Sequence, residues 1–469
     1  MKITFLGAGS TVFAKNVLGD CILTPTLGEF EIALYDLDEK RLNESYLVIN
    51  NINKKYNGKA TVTKHLGTPQ AKLGRENFNE GLRTALTGAN YVINAVQIGG
   101  YKPCTVSDFK IPARYGLRQT IADTLGVGGI FRALRTIPVM KCFADMMEEV
   151  CPDAWLLNYT NPMAMLTGYM LTHTKVKTVG LCHSVQGCIP HLLNELKMKE
   201  KYPPESVNWT IYGINHQAWL LDVKDKDGND LYPEIRERAA LASKGIIGKM
   251  GAYASGDRVR YKIMEVFGYY VTESSEHNAE YCPWFIKRWK PFWRRGALRW
   301  TNKYRVPLDE YPVRCRRQIR DWKRQAKRLE SDASFINHNK SHEYGAYIIE
   351  ALHTGKPFTF SGSVLNTKGY ITNLPKDCCV EIPIVADKNG LTPQFCGTLP
   401  EQLAAYNMTN IGPQMLTLKA NETRLMDDLI RAVAMDPHTG AVLTLDKIQK
   451  MCKALYKRHY KQGWMPEYK

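Results

Sequence analysis

The sequence lacks an apolar run of the length that a membrane span needs. In its 469 residues, no uninterrupted apolar stretch approaches the roughly 18 residues of a spanning helix. The apolar start at residues 3–6 leads directly into glycines, unlike a secretory signal peptide. There is no internal repeat and no low-complexity linker. Because 44% of the residues are hydrophobic, the chain can bury a large core. We expect a soluble cytoplasmic protein of two or three domains, with no membrane partner.

The twelve cysteines lack a spacing that is typical of disulfide frameworks. There is no Cys-X-X-Cys pair, and the one close pair, Cys378 and Cys379, is adjacent in sequence. Reduced thiols in the cytosol fit this distribution better.

Acidic residues are scarce in one segment, and this accounts for most of the net charge of +17. Between Lys287 and Arg328 there are sixteen basic residues and three acidic ones. Tryptophans at 289, 293, 300 and 322 interleave with them, a pattern also found in proteins that bind single-stranded nucleic acid. Residues 313–329 also read as an amphipathic helix with a solvated face. We expect a solvated or subunit-contacting helix here and do not expect nucleic acid as a partner.

The first forty residues indicate a dinucleotide-binding unit. The apolar strand at residues 2–6 ends in Gly7 and Gly9, and a helical pattern follows with Ser10 as its N-cap. Strand, glycine turn and helix N-terminus form the usual cradle for a pyrophosphate, although the third glycine of the motif is missing. The second strand ends at Asp36, where a carboxylate would bind the adenosine ribose and repel a 2′-phosphate. NAD is therefore favoured over NADP. The alternative is that Asp36 merely caps the next helix.

The alternation of strands and helices continues to about residue 198. Strands predicted near 60–65, 91–96, 154–157 and 176–179 imply a Rossmann-type, doubly wound parallel sheet of the α/β class, similar to lactate and malate dehydrogenases. Asn94 and Asn158 belong to the fourth and fifth strands and are predicted to contact the cofactor. Asp123 and Arg132 flank a second glycine-rich turn, which indicates either close packing against a ligand or a flexible connection.

The pattern changes after about residue 200. Two strands at 209–223 are followed by helical and strand segments, so we predict an NAD-binding domain at 1–198 and an α+β domain at 199–469 that completes the site.

Two residues of types that bind metals lie near the ends of predicted strands. Cys182 follows the sixth strand, and His216 lies at the bend between the two strands of 209–223. A thiolate and an imidazole can share a soft or borderline metal ion. The alternative is a buried cysteine and a hydrogen-bonded loop histidine.

Four sequence motifs together resemble glycoside hydrolase family 4, in particular its α-galactosidase branch. They are Gly-Ala-Gly-Ser at 7–10, Asn-Tyr-Thr-Asn-Pro at 158–162, Cys-His-Ser-Val at 182–185 and Gly-Ile-Asn-His at 213–216. This family is a known NAD-dependent exception to the two-carboxylate glycosidase scheme. The resemblance implies NAD⁺ and Mn²⁺ as cofactors, and hydrolysis by oxidation at C3, deprotonation at C2, elimination, water addition and re-reduction. It also implies an α-galactoside substrate such as melibiose, and a homodimer or homotetramer.

The resemblance also implies residue roles. Cys182 and His216 match the metal ligands, Asn161 matches the substrate-binding asparagine, and Asp123 is a further candidate for substrate contact. His183 is predicted as the acid that protonates the leaving oxygen, or else as a histidine that supports the metal site. For the base we predict Tyr269, with Tyr270 and Tyr281 as competitors, because the family uses a tyrosine in some branches.

Three other activities remain open from the sequence: an α-glucosidase, an α-galacturonidase, and a plain NAD-dependent hydroxyacid dehydrogenase. A thiolate and an imidazole are softer ligands that match Zn, Fe or Co better than Mn²⁺, whereas the family resemblance implies Mn²⁺.

Overall fold

The computed structural model describes residues 1–56, 58–68, 80–243, 256–287, 304–331, 336–341 and 343–469. The strands of the described ranges are β1 Lys2–Leu6, β2 Phe30–Asp36, β3 Ala60–Leu66, β4 Tyr91–Asn94, β5 Trp155–Asn158, β6 Lys177–Gly180, β7 Asn208–Ile214, β8 Gln217–Lys224, β9 Tyr270–Val271, β10 Phe358–Leu365, β11 Cys379–Asp387 and β12 Gly390–Pro393.

The α-helices of the same ranges are α1 Thr11–Ile22, α2 Glu39–Lys55, α3 Glu80–Leu86, α4 Val106–Tyr115, α5 Gly126–Val150, α6 Met163–His173, α7 Ser184–Glu195, α8 Tyr232–Ser243, α9 Arg258–Phe267, α10 Ser275–Glu280, α11 Glu310–Ser331, α12 Tyr344–Thr354, α13 Glu401–Thr423, α14 Met426–Ala434, α15 Pro437–Val442 and α16 Leu445–Lys461. Short helical turns lie at Pro25–Leu27, Gly100–Thr105 and Pro204–Ser206.

The strands of the described ranges form one twelve-stranded sheet in the order β3-β2-β1-β4-β5-β6-β10-β11-β7-β8-β9, with β12 beside β11. The first six strands in this order are parallel, and the others pair antiparallel. The apolar, buried sequences of β1, β4 and β5 suit strands that helices cover on both faces. The predicted fold class, a Rossmann-type parallel sheet followed by an α+β region, is confirmed.

The sheet does not stop at the predicted domain boundary. β10 pairs with β6 through Ser363 and Gly180, and β7 pairs with β11 through Gly213 and Glu381. The division at 198/199 therefore stays a prediction, while the sheet itself runs across it.

The register of the parallel strands brings their carboxyl ends to one edge. Leu6 pairs with Tyr35 and Asn94, and Asn158 pairs with Asn94 and Gly180. Ligands of open α/β sheets bind outside this edge, at the point where the strand order reverses. Here the reversal falls between β1 and β4, beside the Gly7 turn.

The basic segment forms helix α11 over part of its length, and residues 288–303, with three of its four tryptophans, lie outside the described residues. The indole Nε1 of Trp322 donates to Oε2 of Glu44 on α2 at 2.7 Å. Arg316, Arg317 and Arg320 lie on the exposed face. The predicted amphipathic helix is therefore present, and its described basic face is solvated.

The cysteines and the helices bear on the expected redox state and on the search for a membrane span. All twelve cysteines are free. No α-helix in the described ranges combines the length and the apolar character that crossing a bilayer requires.

Candidate active site

The turn after β1 is shaped by two glycines. Gly7 has φ 86°, and a Cβ there would come within 3.0 Å of the backbone of Ala95. A Cβ on Gly9 would lie 2.8 Å from Oδ2 of Asp36, which accepts the Gly9 N–H at 2.6 Å. A side chain at either position would crowd its neighbours, and glycine lets the main chain approach a bound pyrophosphate closely. Ser10 precedes α1 and lines the cleft.

Asp36 is not the cap of the next helix. That cap is Asp38, whose side chain accepts from the N–H of Arg41 at 3.1 Å. The second oxygen of Asp36 accepts from the N–H of Asp38 at 2.9 Å. The carboxylate therefore lies at the carboxyl end of β2 and fixes the glycine turn, in the position predicted for a ribose contact.

Asn94 and Asn158 lie inside the protein, at the carboxyl ends of β4 and β5. Both are fully buried, and Nδ2 of Asn94 donates to Oδ1 of Asn158 at 2.9 Å. Asn158 also accepts from the N–H of Thr160 at 3.1 Å. Because polar groups at the end of a buried sheet must find partners inside the protein, these asparagines bond to each other instead of facing the cleft. Neither side chain belongs to the cleft lining, and cofactor contact by Asn94 and Asn158 stays a prediction.

Cys182 and His216 are brought together, and Glu273 joins them. Sγ of Cys182 lies 3.1 Å from Nε2 of His216, and Oε2 of Glu273 lies 3.7 Å from the same nitrogen. One ligand atom from each residue falls within 4.8 Å of the others. A thiolate, an imidazole and a carboxylate fit a divalent transition metal, and the carboxylate oxygen adds a donor that suits Mn²⁺.

The charges of this group favour a cation. Burial would lower the pKa of His216, but the negative charges of Cys182 and Glu273 raise it to about 10. Burial would likewise raise the pKa of Glu273, whereas His216 and His277 lower it. The site therefore holds two acidic ligands beside an imidazole, and a divalent ion would replace the proton on that ring.

Two of these three residues adopt backbone conformations that side chains seldom adopt. His216 has φ 64° in the turn between β7 and β8, and Glu273 has φ 68° after β9. The left-handed region costs a residue with a Cβ roughly 1–2 kcal/mol. Such strain clusters at functional sites, where the surrounding structure holds the side chain in place.

His216 has a hydrogen-bond partner on its other ring nitrogen. Nδ1 of His216 lies 3.0 Å from the hydroxyl of Tyr281, which is fully buried. Metal-binding histidines usually make this kind of hydrogen bond, which fixes the ring orientation. Tyr281 therefore supports the metal site from the side opposite Cys182.

Asp123 is held between two cations at the cleft. Nε2 of His277 lies 3.7 Å from Oδ1 of Asp123, and Nη1 of Arg132 lies 3.6 Å from Oδ2. Burial would raise the pKa of Asp123, but His277 and Arg132 hold it well below its usual range. Asp123 is thus an ionised acceptor at the cleft surface, as its predicted role in binding sugar hydroxyls requires.

The loop before Asp123 is fixed by a carboxylate from α10. Glu280 accepts the N–H groups of Thr120 and Ala122 at 2.8 and 2.7 Å, and Ala122 has φ 52°. A buried carboxylate needs such donors. Since α10 also follows Glu273, one short helix positions both the Asp123 loop and the third candidate metal ligand.

The structure separates the three tyrosines that were considered as the base. Tyr269 packs against Tyr232, with ring centroids 6.0 Å apart, and is absent from the cleft lining. Tyr270 is fully buried, and its hydroxyl donates to Asp257. Of the three, Tyr281 alone contacts His216. The prediction of Tyr269 does not agree with this geometry, because the side chain of Tyr269 belongs to a hydrophobic cluster.

The cleft itself has a volume of about 280 Å³. Among the described residues, its lining includes Ser10, Asp123, Asn161, Cys182, His183 and Tyr311. The side-chain oxygen of Asn161 is buried and has no partner among them. An unpaired oxygen at the wall of a cleft is a place for a ligand hydroxyl.

Sequence reasoning missed three residues of this site. They are Glu273, Tyr311 and Glu343, whose Oε2 lies 2.5 Å from Nε2 of His183. The hydroxyl of Tyr311 lies 3.4 Å from Nη2 of Arg132. A signal was available for Glu273, because a dense group of acids and histidines after a strand is typical of ligand sites.

The sequence profile of the family described as "Family 4 glycosyl hydrolase" matches residues 2–198, and the profile of the C-terminal domain of that family matches residues 211–439. The chain belongs to glycosyl hydrolase family 4. The family resemblance inferred from the motifs is confirmed.

Similar proteins and solved structures agree with this family assignment. An α-galactosidase of Bacillus subtilis (strain 168) is 52% identical over 468 residues, which cover 100% of each chain. The crystal structure of the glucosidase lplD from Bacillus subtilis has a TM-score of 0.81 at 25% identity and covers 97% of this chain and 99% of its own. A 6-phospho-α-glucosidase from gut microorganisms, solved in complex with NAD and Mn²⁺, has a TM-score of 0.78 at 17% identity, with 100% and 99% covered.

Proposed function

We propose that this family 4 enzyme is an NAD⁺- and Mn²⁺-dependent α-galactosidase that hydrolyses terminal α-galactosides. The observation that supports this most is that Cys182, which meets His216 and Glu273, lines the same cleft as Ser10, the residue directly after the Gly7–Gly9 turn. The choice of galactose is supported by the α-galactosidase that is 52% identical over the whole chain.

The described residues fit both cofactors. Gly7 and Gly9 leave room for a pyrophosphate at the N-terminus of α1, and Asp36 stands where a ribose hydroxyl would bind. Cys182, His216 and Glu273 would hold the metal. When bound, NAD⁺ supplies a hydride acceptor for C3 of the sugar and Mn²⁺ supplies a Lewis acid for the adjacent hydroxyls.

For the base that removes the C2 proton, we propose Tyr311. It lines the cleft, and its hydroxyl lies 3.4 Å from the buried guanidinium of Arg132. Burial raises the pKa of Tyr311, and the positive charge of Arg132 opposes this effect and favours the phenolate. Tyr281, in contrast, is fully buried against His216.

These two tyrosines give different expectations. Tyr311→Phe should abolish exchange of the C2 hydrogen with solvent, whereas Tyr281→Phe should mainly raise the Mn²⁺ concentration that the enzyme needs. If Tyr281→Phe abolished exchange at saturating Mn²⁺ while Tyr311→Phe retained it, the assignment would be reversed.

For the acid, we propose His183, which lines the cleft next to Cys182. Burial would lower the pKa of His183, but its hydrogen bond and charge interaction with Glu343 raise it above the ordinary value. The ring is therefore able to carry a proton near neutral pH, and it would give that proton to the leaving oxygen.

The decisive experiment is hydrolysis of 4-nitrophenyl α-galactoside with and without NAD⁺, Mn²⁺ and reductant. We expect activity only when all are present, and no net accumulation of NADH. Activity that survives removal of NAD⁺ and metal would refute the proposal. Net release of NADH would instead indicate the hydroxyacid dehydrogenase, and preference for an α-glucoside or an α-galacturonide would indicate one of the two other glycosidases.

We also propose a homodimer or homotetramer in the cytoplasm, with an α-galactoside such as melibiose as the substrate. Sedimentation equilibrium would measure the subunit number. A monomer at the concentrations used in the activity assay would contradict the proposed oligomer.

A further inference from the structure

We propose that Glu343 is a positioning residue that holds His183 in the orientation needed to protonate the leaving oxygen. This inference rests on the proposed function, in which His183 is the acid. It goes beyond it because Glu343 lies 160 residues away in the chain and belongs to none of the motifs.

The first observation is the contact itself. Nε2 of His183 lies 2.5 Å from Oε2 of Glu343. The side chain of Glu343 is 10% exposed, whereas that of His183 is 52% exposed in the cleft. One partner is therefore fixed in the protein and the other faces the space where a substrate would bind. A charge-assisted hydrogen bond of this length is among the stronger ones in proteins.

The second observation is that Glu343 does not serve its own helix. It stands at the N-cap of α12, yet its side chain accepts no hydrogen bond from that helix. A side chain at this position normally accepts from the free N–H groups of the first turn. The Glu343 carboxylate turns to His183 instead, so its position is explained by the histidine.

The third observation is the support behind Glu343. Its N–H donates to Oγ of Ser341 at 3.2 Å. Ser341 in turn donates through its N–H and hydroxyl to the carboxylate of Asp20 at 2.8 and 2.5 Å. Asp20 lies fully buried in α1, the helix that follows the glycine turn. A second layer of hydrogen bonds therefore anchors Glu343 to the cofactor-binding region.

Aromatic rings limit the movement of the histidine. The ring centroids of Phe13, Tyr159 and Tyr344 lie 6.3, 6.0 and 6.2 Å from that of His183. With Nε2 bound to Glu343, the remaining nitrogen, Nδ1, has no hydrogen-bond partner among the described residues. Because His183 lines the cleft, Nδ1 is the ring nitrogen that would donate to a substrate there.

The proton movement follows from this geometry. As the bond between C1 and the glycosidic oxygen breaks, its electron pair goes to that oxygen, which takes the proton from Nδ1. The alcohol leaves, and His183 becomes neutral. Its Nε2–H keeps its hydrogen bond to the Glu343 carboxylate. During water addition, Nδ1 takes a proton from water and the imidazolium is restored. Glu343 takes no part in the proton transfer and only orients the ring, as the carboxylate partner of a catalytic histidine does in hydrolytic triads.

The test compares two leaving groups in the Glu343→Gln variant, at saturating NAD⁺ and Mn²⁺. Methyl α-galactoside needs a proton to release methanol, whereas 4-nitrophenyl α-galactoside releases a stable phenolate. We expect a loss on the order of 10²-fold in kcat/KM for the methyl glycoside and a loss within about threefold for the nitrophenyl glycoside, since general acids contribute roughly 10²- to 10⁴-fold. In D₂O, methyl α-galactoside recovered from the variant should carry more deuterium at C2, because elimination has become slow.

Further variants separate positioning from a general structural effect. In a His183→Asn background, Glu343→Gln should cause no further loss, because residues that act as one unit are not additive. Glu343→Asp keeps the charge and should restore part of the difference. The matched control is Glu422→Gln, which removes the partner of His173 in a surface pair at 2.9 Å. It should leave kcat/KM unchanged for both glycosides. Dissociation constants for NAD⁺ and Mn²⁺ should be unchanged in Glu343→Gln.

Several outcomes would overturn the inference. These are equal losses for both substrates in folded Glu343→Gln and Glu343→Asp, a further loss in the His183→Asn background, or weakened Mn²⁺ binding that accounts for the whole effect. If the wild-type enzyme cleaves neither glycoside or needs neither cofactor, the proposed function itself has failed. That result is distinct, because it is seen before any variant is made.

Discussion

Replacement of Gly9 by alanine should weaken NAD⁺ binding far more than it weakens the fold. Gly9 does not have a left-handed φ, so alanine causes no backbone strain. Its Cβ would lie 2.8 Å from Oδ2 and 3.1 Å from Cγ of Asp36, and 3.2 Å from Cβ of Arg41. Ordinary contact begins near 3.4 Å, so the carboxylate must move by roughly half an ångström.

That shift affects two functions of Asp36. The hydrogen bond from the Gly9 N–H, 2.6 Å long, would be stretched, at a cost of about 1 kcal/mol in the free energy of unfolding. The predicted ribose contact of Asp36 would be lost together with the close approach of the turn to the pyrophosphate. Losing about 1.5–3 kcal/mol of charge-assisted hydrogen bonding raises the NAD⁺ dissociation constant by roughly 10- to 100-fold.

The assay is direct titration of the protein with NAD⁺, by calorimetry or by quenching of tryptophan fluorescence, with urea unfolding in parallel. Gly412→Ala is the matched control, because a Cβ there meets nothing within 4 Å. It should leave NAD⁺ affinity unchanged. A Gly9→Ala variant that binds NAD⁺ within twofold of the wild type would refute the placement of the pyrophosphate over this turn. Equal loss of affinity in Gly412→Ala would refute the steric argument.

Three further predictions concern the metal, the fold and the base. Cys182→Ser should raise the Mn²⁺ concentration for half-maximal activity by more than about 100-fold, because loss of a residue that only hydrogen-bonds to a metal ligand already costs roughly 10- to 100-fold. An unchanged Mn²⁺ requirement would show that Cys182 is not a ligand. Asp108→Asn should lower the free energy of unfolding at pH 7 by about 3–5 kcal/mol, because Asp108 bonds to the buried side chains of Arg135 and His459 at 2.7 and 2.8 Å. Burial alone would raise the pKa of Asp108, but Arg135 and His459 lower it in the folded state. This stabilisation is therefore present above the unfolded pKa of about 3.9 and is lost as the pH falls towards the folded value, so the difference between wild type and variant in urea unfolding should shrink in acid. Tyr311→Phe should keep NAD⁺ and Mn²⁺ affinity but lose deuterium exchange at C2 by mass spectrometry, and retained exchange would exclude Tyr311 as the base.

The cofactor side of the site could be predicted because its determinants are local. The Gly7–Gly9 turn, the start of α1 and Asp36 at the end of β2 follow from short patterns with a fixed spatial relation in parallel sheets. Cys182 follows from the same rule, since it lies two residues after the end of β6. His216 was predictable only with the family resemblance, because the position of a β-hairpin relative to the parallel sheet is not a local property.

Asn94 and Asn158 show the limit of that rule. Both were correctly placed at the carboxyl ends of their strands, but the direction of a side chain depends on register and on its neighbours. Asn94 lies directly opposite Asn158, and Nδ2 of Asn94 donates to Oδ1 of Asn158 inside the protein. A strand end identifies the edge of a sheet, and it does not decide whether a polar side chain faces the ligand or the adjacent strand.

The carboxylates that meet His183 and His216 could not be predicted because the sheet order departs from the chain order. β10 and β11 lie between β6 and β7, so the segment that precedes β10 is placed beside the end of β6. Glu343 begins the helix α12 in that segment and therefore meets His183. Glu273 reaches the same place from the other direction, after β9 at the end of the sheet, and its left-handed backbone turns the carboxylate back towards His216. The long-range strand order thus assembles the groups that bind the metal and move protons, and these are the groups whose removal should separate binding from chemistry.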